Sequence, residues 1–559
     1  MKTIKAICNS DDVEIIWKYP KIDNCLGFAI QREKEVNGAS QLSWVKSSVG
    51  FEDEPHLDFE MKNTDLWPIQ KYMWTDYLVD SGDTVRYRVI PMVIVENNLV
   101  QNENNISDWS NWVTLQTKPT DAFFNRGLVS SQFVSRKLKN LPEKERKKTL
   151  DQHLNDEKSP LRKFMGGELL SAIYRFLDEP LGEGNEEVYL FAALYELNDP
   201  ILIKKLNVIG KRANVILANG AFSDEDLDPQ KKNADKLDRI NLIRRIVRSP
   251  HFAHNKFAIL ARKNGTNYEP YKVLMGSTNW THNGLFTQVN NAVVIDDEVV
   301  ADYYFQEWQK MREDCDQNGM GLYGPAFKTF NETPKTNKTG KIRTWFTPTK
   351  KAADMEEAIQ LIGNAKDGIL FLMFKPGSLK SALLYKKIYE RTKEENPPLI
   401  HGVINTDPGG KEDPTIQFVD KGKKQTGNFL FATTPENLKD DFGFWKKELP
   451  KPSVTIHSKV VLIDPFGDNP ILITGSHNMG LKASGSNDDN LNIIRDNPTL
   501  CQSYAVHMLA IYHHFRSRFY RSKMGTKWKG LIRDDSWQSW YEKGAYKKEL
   551  DFWMKGVIQ

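Results

Sequence analysis

Two short groups of residues in this sequence have the types and spacing to act on a phosphodiester. The first is His254-Asn255-Lys256 followed by Gly276-Ser277-Thr278-Asn279; the second is His457-Ser458-Lys459 followed by Gly475-Ser476-His477-Asn478. A His and a Lys two apart on a strand point to the same face, and each Asn falls on the strand that follows. Lys256, Lys459, Asn279 and Asn478, with Ser277 and Ser476 beside them, can bind the non-bridging oxygens of a phosphate. Together they can absorb the charge of a five-coordinate transition state. One of His254 and His457 can attack phosphorus while the other protonates the leaving oxygen. This chemistry calls for no cofactor and no metal, because the lysines bring the positive charge a cation would supply.

Such groups need strands to place them, and the surrounding pattern is α/β. Val188–Leu197 is a nearly continuous apolar run, as a strand buried on both faces requires. A helix over Ile201–Val208 and a strand over Ala213–Ala218 follow, then a stripe of Leu237, Ile240, Ile243, Ile246 and Val247 that predicts a second helix. Strands Phe252–Ala261 and Lys272–Met275 close the unit through a hairpin at Asn264-Gly265. The same order returns as strand Gly368–Phe374, helix Leu379–Arg391 and strand Leu399–Asn405, with the pair Val454–Ile463 and Ile471–Thr474. An internal repeat of this kind predicts two similar lobes, 186–325 and 341–515, packed about one axis with matching strand ends together.

The rest of the 559 residues frames these lobes. With 40% hydrophobic and 27% charged residues the chain can fill several cores, which excludes a mainly disordered protein. The net charge of +4 does not by itself announce a nucleic-acid partner. Cys8, Cys25, Cys315 and Cys501 have no metal-like spacing and are too few for a disulfide scaffold, which fits a reducing compartment. The start of the chain has no secretory core and no run reaches ~18 apolar residues, so a soluble, cytoplasmic protein is expected. Residues 1–118 alternate with period two, as in Val13, Ile15, Trp17 and in Val85, Tyr87, Val89, with Ser107–Thr117 as a closing strand. They read as a β-sandwich. Residues 119–185 read as a charged helical connector and 516–559 as a basic-aromatic cap.

The two H-x-K…G-S-x-N groups resemble the phospholipase D superfamily, whose H-x-K-x-x-x-x-D signature is complete at His457–Asp464. That superfamily includes phospholipases, phosphatidyl transferases, metal-independent nucleases and tyrosyl-DNA phosphodiesterases. The resemblance implies a β-sandwich followed by two phospholipase D-like lobes in a pseudo-two-fold arrangement, and hydrolysis through a phosphohistidine. It covers residues ~186–515. Ala261 stands where the first signature would have its Asp, and tyrosyl-DNA phosphodiesterases lack these acids too. The family also has a carboxylate that orients each histidine, eleven residues past the GSxN asparagine; here those positions hold Asn290 and Asp489. Counted along the chain, Asp489 would make His457 the more readily protonated, hence the acid, and Asn290 would leave His254 neutral, hence the nucleophile. Both imidazoles should meet at one cleft, within the ~3–7 Å that a phosphorus atom bridges. The N-terminal module, through Gly82–Val89 and its closing strand, resembles a fibronectin type III domain, with a sandwich of another topology as the alternative.

Substrate class is the least specified part. Phe515–Lys529 carries Arg516, Arg518, Arg521, Lys523, Lys527 and Lys529 among Phe515, Phe519, Tyr520 and Trp528, with no acid. Single-stranded nucleic acid is recognised by such a mixture, through phosphate neutralisation and base stacking, and a nuclease is the expectation. A helical cap is the bland alternative. Lys421–Lys424 could line a phosphate channel. A phospholipid substrate is the rival class, with Phe442–Trp445 as an interfacial loop. A third class is a binding protein whose β-sandwich recognises a protein partner. Both half-sites lie in one chain, so a monomer suffices for a complete site. His251, His477, His513 and His514 are expected to pack rather than react.

Overall fold

A computed structural model describes residues 2–51, 53–54, 60–116, 118, 120–127, 141–318, 324–378, 380–405, 428–431, 456–524 and 530–556. Two large mixed sheets dominate it. The first runs in the order Asp121–Phe124, Asn291–Ile295, Asn267–Gly276, Lys256–Asn264, Val188–Leu194, Ala213–Ala218, Asn241–Arg245. The second runs Lys335–Thr336, Ile342–Phe346, Asn490–Arg495, Ile471–Gly475, Val460–Ile463, Gly368–Met373, Leu399–Ile404, Asn428–Phe431. From Ile342 onward the second order repeats the first, strand for strand.

The central apolar runs explain why. Along Val188–Leu194, Phe191 and Ala193 enter one buried cluster while Leu190, Ala192 and Leu194 enter another, so both faces are covered. In the second sheet Leu370 and Leu372 enter the same first cluster, with Ile369, Phe371 and Met373 on the far side. The inner faces of the two sheets therefore share one core. Between them lie the helices Glu298–Asn318 and Pro498–Met524, each following the last strand of its unit and each touching strands of the other.

Several sequence expectations are corrected. The stripe Leu237–Val247 is not a helix: Asn241–Arg245 is an edge strand parallel to Ala213–Ala218, and Lys231–Ala234 is a single helical turn. Within that strand the adjacent Leu242 and Ile243 pack against two different clusters, one on each face, while Arg244 pairs with Asp228. Phe252–Ala261 is broken after Ala253, and the strand resumes at Lys256. The connector begins with a strand, Asp121–Phe124, which completes the edge of the first sheet before the helices Glu143–Leu154 and Pro160–Asp178.

Residues before Thr114 form sheets of order Thr3–Cys8, Val13–Lys18, Met73–Asp76 and Val113–Thr114, Thr84–Val95, Cys25–Val36, Ala39–Trp44. Among the described residues of the expected closing strand, Val113–Thr114 forms a short strand, while Ser107 and Ser110 donate backbone N–H to the Val89 and Tyr87 carbonyls. The C-terminal segment fastens this module to the second sheet. Trp537 is buried against Phe28 and Tyr72 and donates Nε1–H to the Cys25 carbonyl at 2.9 Å, while Phe552 covers Gly368. No described helix is long and apolar enough to cross a membrane.

Candidate functional site

The two histidine-bearing segments meet where the sheets abut. Phe252–Ala253 pairs in parallel with Asn487–Asp488, and Val289 bridges Ile456. As a result the His254 amide donates to the Asp488 carbonyl and the His457 amide to the Val289 carbonyl, both at 2.9 Å. Each histidine is thus seated on the segment that precedes the last strand of the opposite sheet.

That crossing corrects the expected pairing of orienting groups. His254 Nδ1 lies 2.8 Å from Asp489 Oδ1, and His457 Nδ1 lies 2.8 Å from Asn290 Oδ1. The carboxylate serves the first histidine and the amide the second, the reverse of the assignment by chain order. Ser277 Oγ donates to Asn290 Oδ1 at 2.8 Å, and Ser476 Oγ donates to Asp489 Oδ1 at 2.6 Å. The two serines therefore brace the orienting groups. Lys256 and Lys459 each donate Nζ–H to the carbonyl of their own histidine.

The glycines of the GSxN turns are required by close approach. A Cβ on Gly276 would stand 2.3 Å from the Asn291 carbonyl oxygen, and one on Gly475 2.2 Å from that of Asn490. Just beyond, the interlobe helices lock the register: Asn291 donates to Tyr504 Oη at 2.7 Å, and Tyr304 Oη donates to Asn490 Oδ1 at 3.2 Å.

Burial dominates the electrostatics. It lowers His254 to about 4, with Lys256 adding to the effect and Asp489 opposing it. His457 is driven well below its ordinary value by burial, then by Lys459 and Lys256. Lys256 falls to about 7 on burial, partly restored by Asp489 and Glu196, and Lys459 falls well below its ordinary value with Lys256 as an added repulsion. Burial disfavours the Asp489 carboxylate, but His254, His477 and Lys256 outweigh it and hold the group below the usual carboxylate range. An anion beside these groups would favour their charged forms and oppose the effect of burial.

Sequence reasoning missed the walls. Tyr195 meets the His254 ring edge-on at 4.7 Å between centroids and lies under Lys256 at 4.8 Å. Phe374 stands in the same relation to His457 and Lys459, at 4.7 and 4.9 Å. Glu196 was missed too; its Oε2 accepts from Asn279 Nδ2 at 2.9 Å. All three directly follow the central strand of a repeat, where α/β sheets place their sites. Aligning VYLFAALYE with GILFLMFK would have exposed them.

Other candidates fall outside the chemistry. Asp464 accepts from the backbone amides of Lys366, Asp367 and Gly368 at 2.7–2.9 Å, closing the turn into Gly368–Met373. Its counterpart Ala261 is a buried strand residue at a β-bulge. His477 is buried against Asp354 and Ser484, and His513 faces Glu549. Of the basic-aromatic run, Phe515 is core and Arg516 is ion-paired with Glu549 at 2.8 Å. The side chains of 517–529, and the segments 421–424 and 442–445, lie outside the described residues.

Residues 192–312, the span that carries His254, Lys256, Ser277 and Asn279, match the family described as cardiolipin synthase, PLD-like domain. That span is therefore similar to a phospholipase D-like domain. Over 138 residues, 25% of this chain and 63% of the relative's length, it is 26% identical to a phospholipase D of Rickettsia bellii (strain RML369-C). Among solved structures it is similar to phosphatidylserine synthase of Haemophilus influenzae Rd KW20, with TM-score 0.39, 10% identity, and 70% of this chain and 94% of that one covered. It is also similar to a yeast tyrosyl-DNA phosphodiesterase, with TM-score 0.30, 13% identity, and 56% and 84% covered.

Proposed function

We propose that this protein is a metal-independent phosphodiesterase that works through a phosphohistidine on His254, its two half-sites related by a pseudo-two-fold axis. The observation that carries this reading is the crossed pairing of His254 with Asp489 and of His457 with Asn290. A neutral His254 that donates Nδ1–H to Asp489 keeps its lone pair on Nε2 for attack on phosphorus. As the P–N bond forms and the P–O bond breaks, His457 delivers its proton to the departing oxygen. The carboxylate of Asp489 stabilises the charge that the phosphorylated ring acquires. Neutral His457 then takes a proton from water, whose oxygen attacks phosphorus and releases His254. In the free protein burial, and after it Lys459 and Lys256, oppose protonation of His457. A bound phosphodiester offsets those cations and returns the proton where it is needed.

For substrate we propose nucleic acid, supported by the basic residues that follow Arg516 in the run 515–529. With Arg516 committed to Glu549, residues beyond it would have to make the contacts. A phospholipid substrate is the second reading, favoured by the matched family and relative, described as cardiolipin synthase and phospholipase D. We further read residues 1–118 as a fibronectin type III-like sandwich that binds a protein partner. The order of its two sheets supports the sandwich.

The test is purified full-length protein in EDTA against single-stranded DNA, duplex DNA, RNA and phosphatidylcholine vesicles. His254→Ala should abolish turnover, and His457→Ala should slow it and leave a covalent adduct visible by intact-protein mass spectrometry. Activity lost in EDTA and restored by a divalent ion overturns the mechanism. Cleavage of vesicles alone replaces the nucleic-acid reading with the lipid one.

A further inference from the structure

The two GSxN asparagines have different surroundings. Asn279 is 7% exposed; its Nδ2 donates to Glu196, and its Oδ1 is buried with no hydrogen-bond partner. Asn478 also has a buried, unpartnered Oδ1, but the residue matching Glu196 in the second repeat is Lys375, an exposed cation 5.1 Å from the Phe374 ring. A carboxylate can only accept, so it draws the amide nitrogen toward itself and leaves the carbonyl end directed elsewhere. Glu196 is itself held, its Oε1 accepting from the Ala221 amide at 3.2 Å. The first half-site therefore offers an acceptor at the position where a phosphate-binding amide would offer a donor.

A buried carbonyl oxygen without a partner is costly, and an anionic phosphoryl oxygen beside it would be repelled. What satisfies it is an N–H or O–H group on the substrate. We propose that Glu196 and Asn279 form an acceptor subsite that selects phosphodiesters whose retained ester arm carries a hydrogen-bond donor, a primary ammonium or a hydroxyl. The proposal rests on the phosphodiesterase reading above.

The experiment uses four p-nitrophenyl phosphodiesters whose second ester is ethyl, 2-aminoethyl, 2-hydroxyethyl or 2-(trimethylammonio)ethyl. With the full-length protein, kcat/KM should favour an aminoethyl or hydroxyethyl arm over ethyl by about tenfold or more. The arm that wins identifies the donor. The trimethylammonio arm, cationic but without N–H, should fall short of aminoethyl. Glu196→Gln lets Asn279 turn its nitrogen inward, so the preference over ethyl should drop at least about fivefold, chiefly in KM, and Glu196→Asp should restore part of it. Donor and ethyl arms used equally by the native protein, or an unchanged ratio in Glu196→Gln, overturn the subsite. If Glu196→Gln does not fold, inhibition of the native protein decides: 2-aminoethyl phosphate and 2-hydroxyethyl phosphate no tighter than ethyl phosphate overturn it. Turnover of none of the four diesters removes the phosphodiesterase reading itself, whereas equal turnover of all four removes only the subsite.

Discussion

The two half-sites share His, Lys, Ser and Asn in the same order but differ in the groups that orient and wall them. His254 leans on a carboxylate and a tyrosine, whereas His457 leans on an amide and a phenylalanine. Glu196 accepts from Asn279 where the matching residue of the second unit is Lys375, and Asp464 closes a turn where the first unit has Ala261. Duplicated chemistry has been kept while the partners diverged. Because each histidine takes its partner from the opposite unit, a difference of one residue between the repeats is felt by the other repeat's imidazole.

The largest effect should come from removing that difference. Asp489→Asn gives both histidines an amide, and turnover should fall by on the order of 10²–10⁴, the scale seen when a carboxylate that orients a catalytic imidazole becomes an amide. Adding Asn290→Asp places the carboxylate at His457 instead, and the phosphoryl group should then be trapped on His457, as peptide mapping would locate it. Full activity in Asp489→Asn would mean that the carboxylate has no part in the reaction.

The lysines come next. Replacing Lys256 or Lys459 by Ala should cost about 3–4 kcal/mol of transition-state stabilisation, read from kcat/KM. Their titration also shapes the pH profile of the free enzyme. His254, lowered to about 4 by burial, must be neutral to attack, so activity should fall as pH drops through that value. Lys256, lowered to about 7 by burial, must be charged to bind phosphate, so activity should fall again as pH rises through 7. A profile of kcat/KM that stays flat from pH 6 to 9 would contradict that role for Lys256.

Asp464 should behave as a stability residue. Asp464→Ala leaves three backbone amides at the entry to Gly368–Met373 without their carboxylate. The expected loss is about 1–3 kcal/mol of stability with kcat little changed, checked by thermal melting beside a turnover assay. A large fall in kcat with an unchanged melt would give it a direct part in catalysis.

What could be read from the sequence follows from where the information is local. Apolar strands such as Val188–Leu194 and Gly368–Met373 announce themselves because both faces are buried. The His, Lys, Ser and Asn sets were legible because each pair is close in sequence. The partner of each histidine was not, since it depends on Asn487–Asp488 pairing with Phe252–Ala253 across the molecule. The stripe Leu237–Val247 misled for a related reason: its three-residue spacing fits a helix, but pairing of Asn241–Arg245 with the neighbouring strand Ala213–Ala218 decides. Arg516 shows the same limit for charge, because Glu549, its partner, comes from a separate C-terminal helix.

The smallest effects should separate the two interlobe helices, which carry ionisable residues at matching places. Three residues past the cross-lobe tyrosines Tyr304 and Tyr504 stand Glu307 and His507, both buried. Burial raises Glu307 well above the usual carboxylate range, with Asp488 adding to the effect. Burial alone lowers His507 to about 3, where its ring stacks on Phe124 at 3.9 Å. Each is therefore neutral in the folded chain at mildly acidic pH, and the two have opposite consequences. As pH falls below ~6.5 the unfolded chain protonates His507 while the folded one does not, so stability drops until pH approaches 3. As pH rises above ~4.3 the unfolded chain ionises Glu307 while the folded one does not, so stability drops in the other direction. Each group contributes a slope of up to about 1.4 kcal/mol per pH unit. His507→Phe should flatten the acid side of the melting-temperature profile between pH 6.5 and 3, and Glu307→Gln should flatten the side above pH 4.5. Because the two slopes have opposite sign, they offset one another between pH ~4.3 and ~6.5, and the double variant should differ from the native profile there less than either single variant. Parallel, unshifted profiles for both variants would show that neither group is held neutral by the fold.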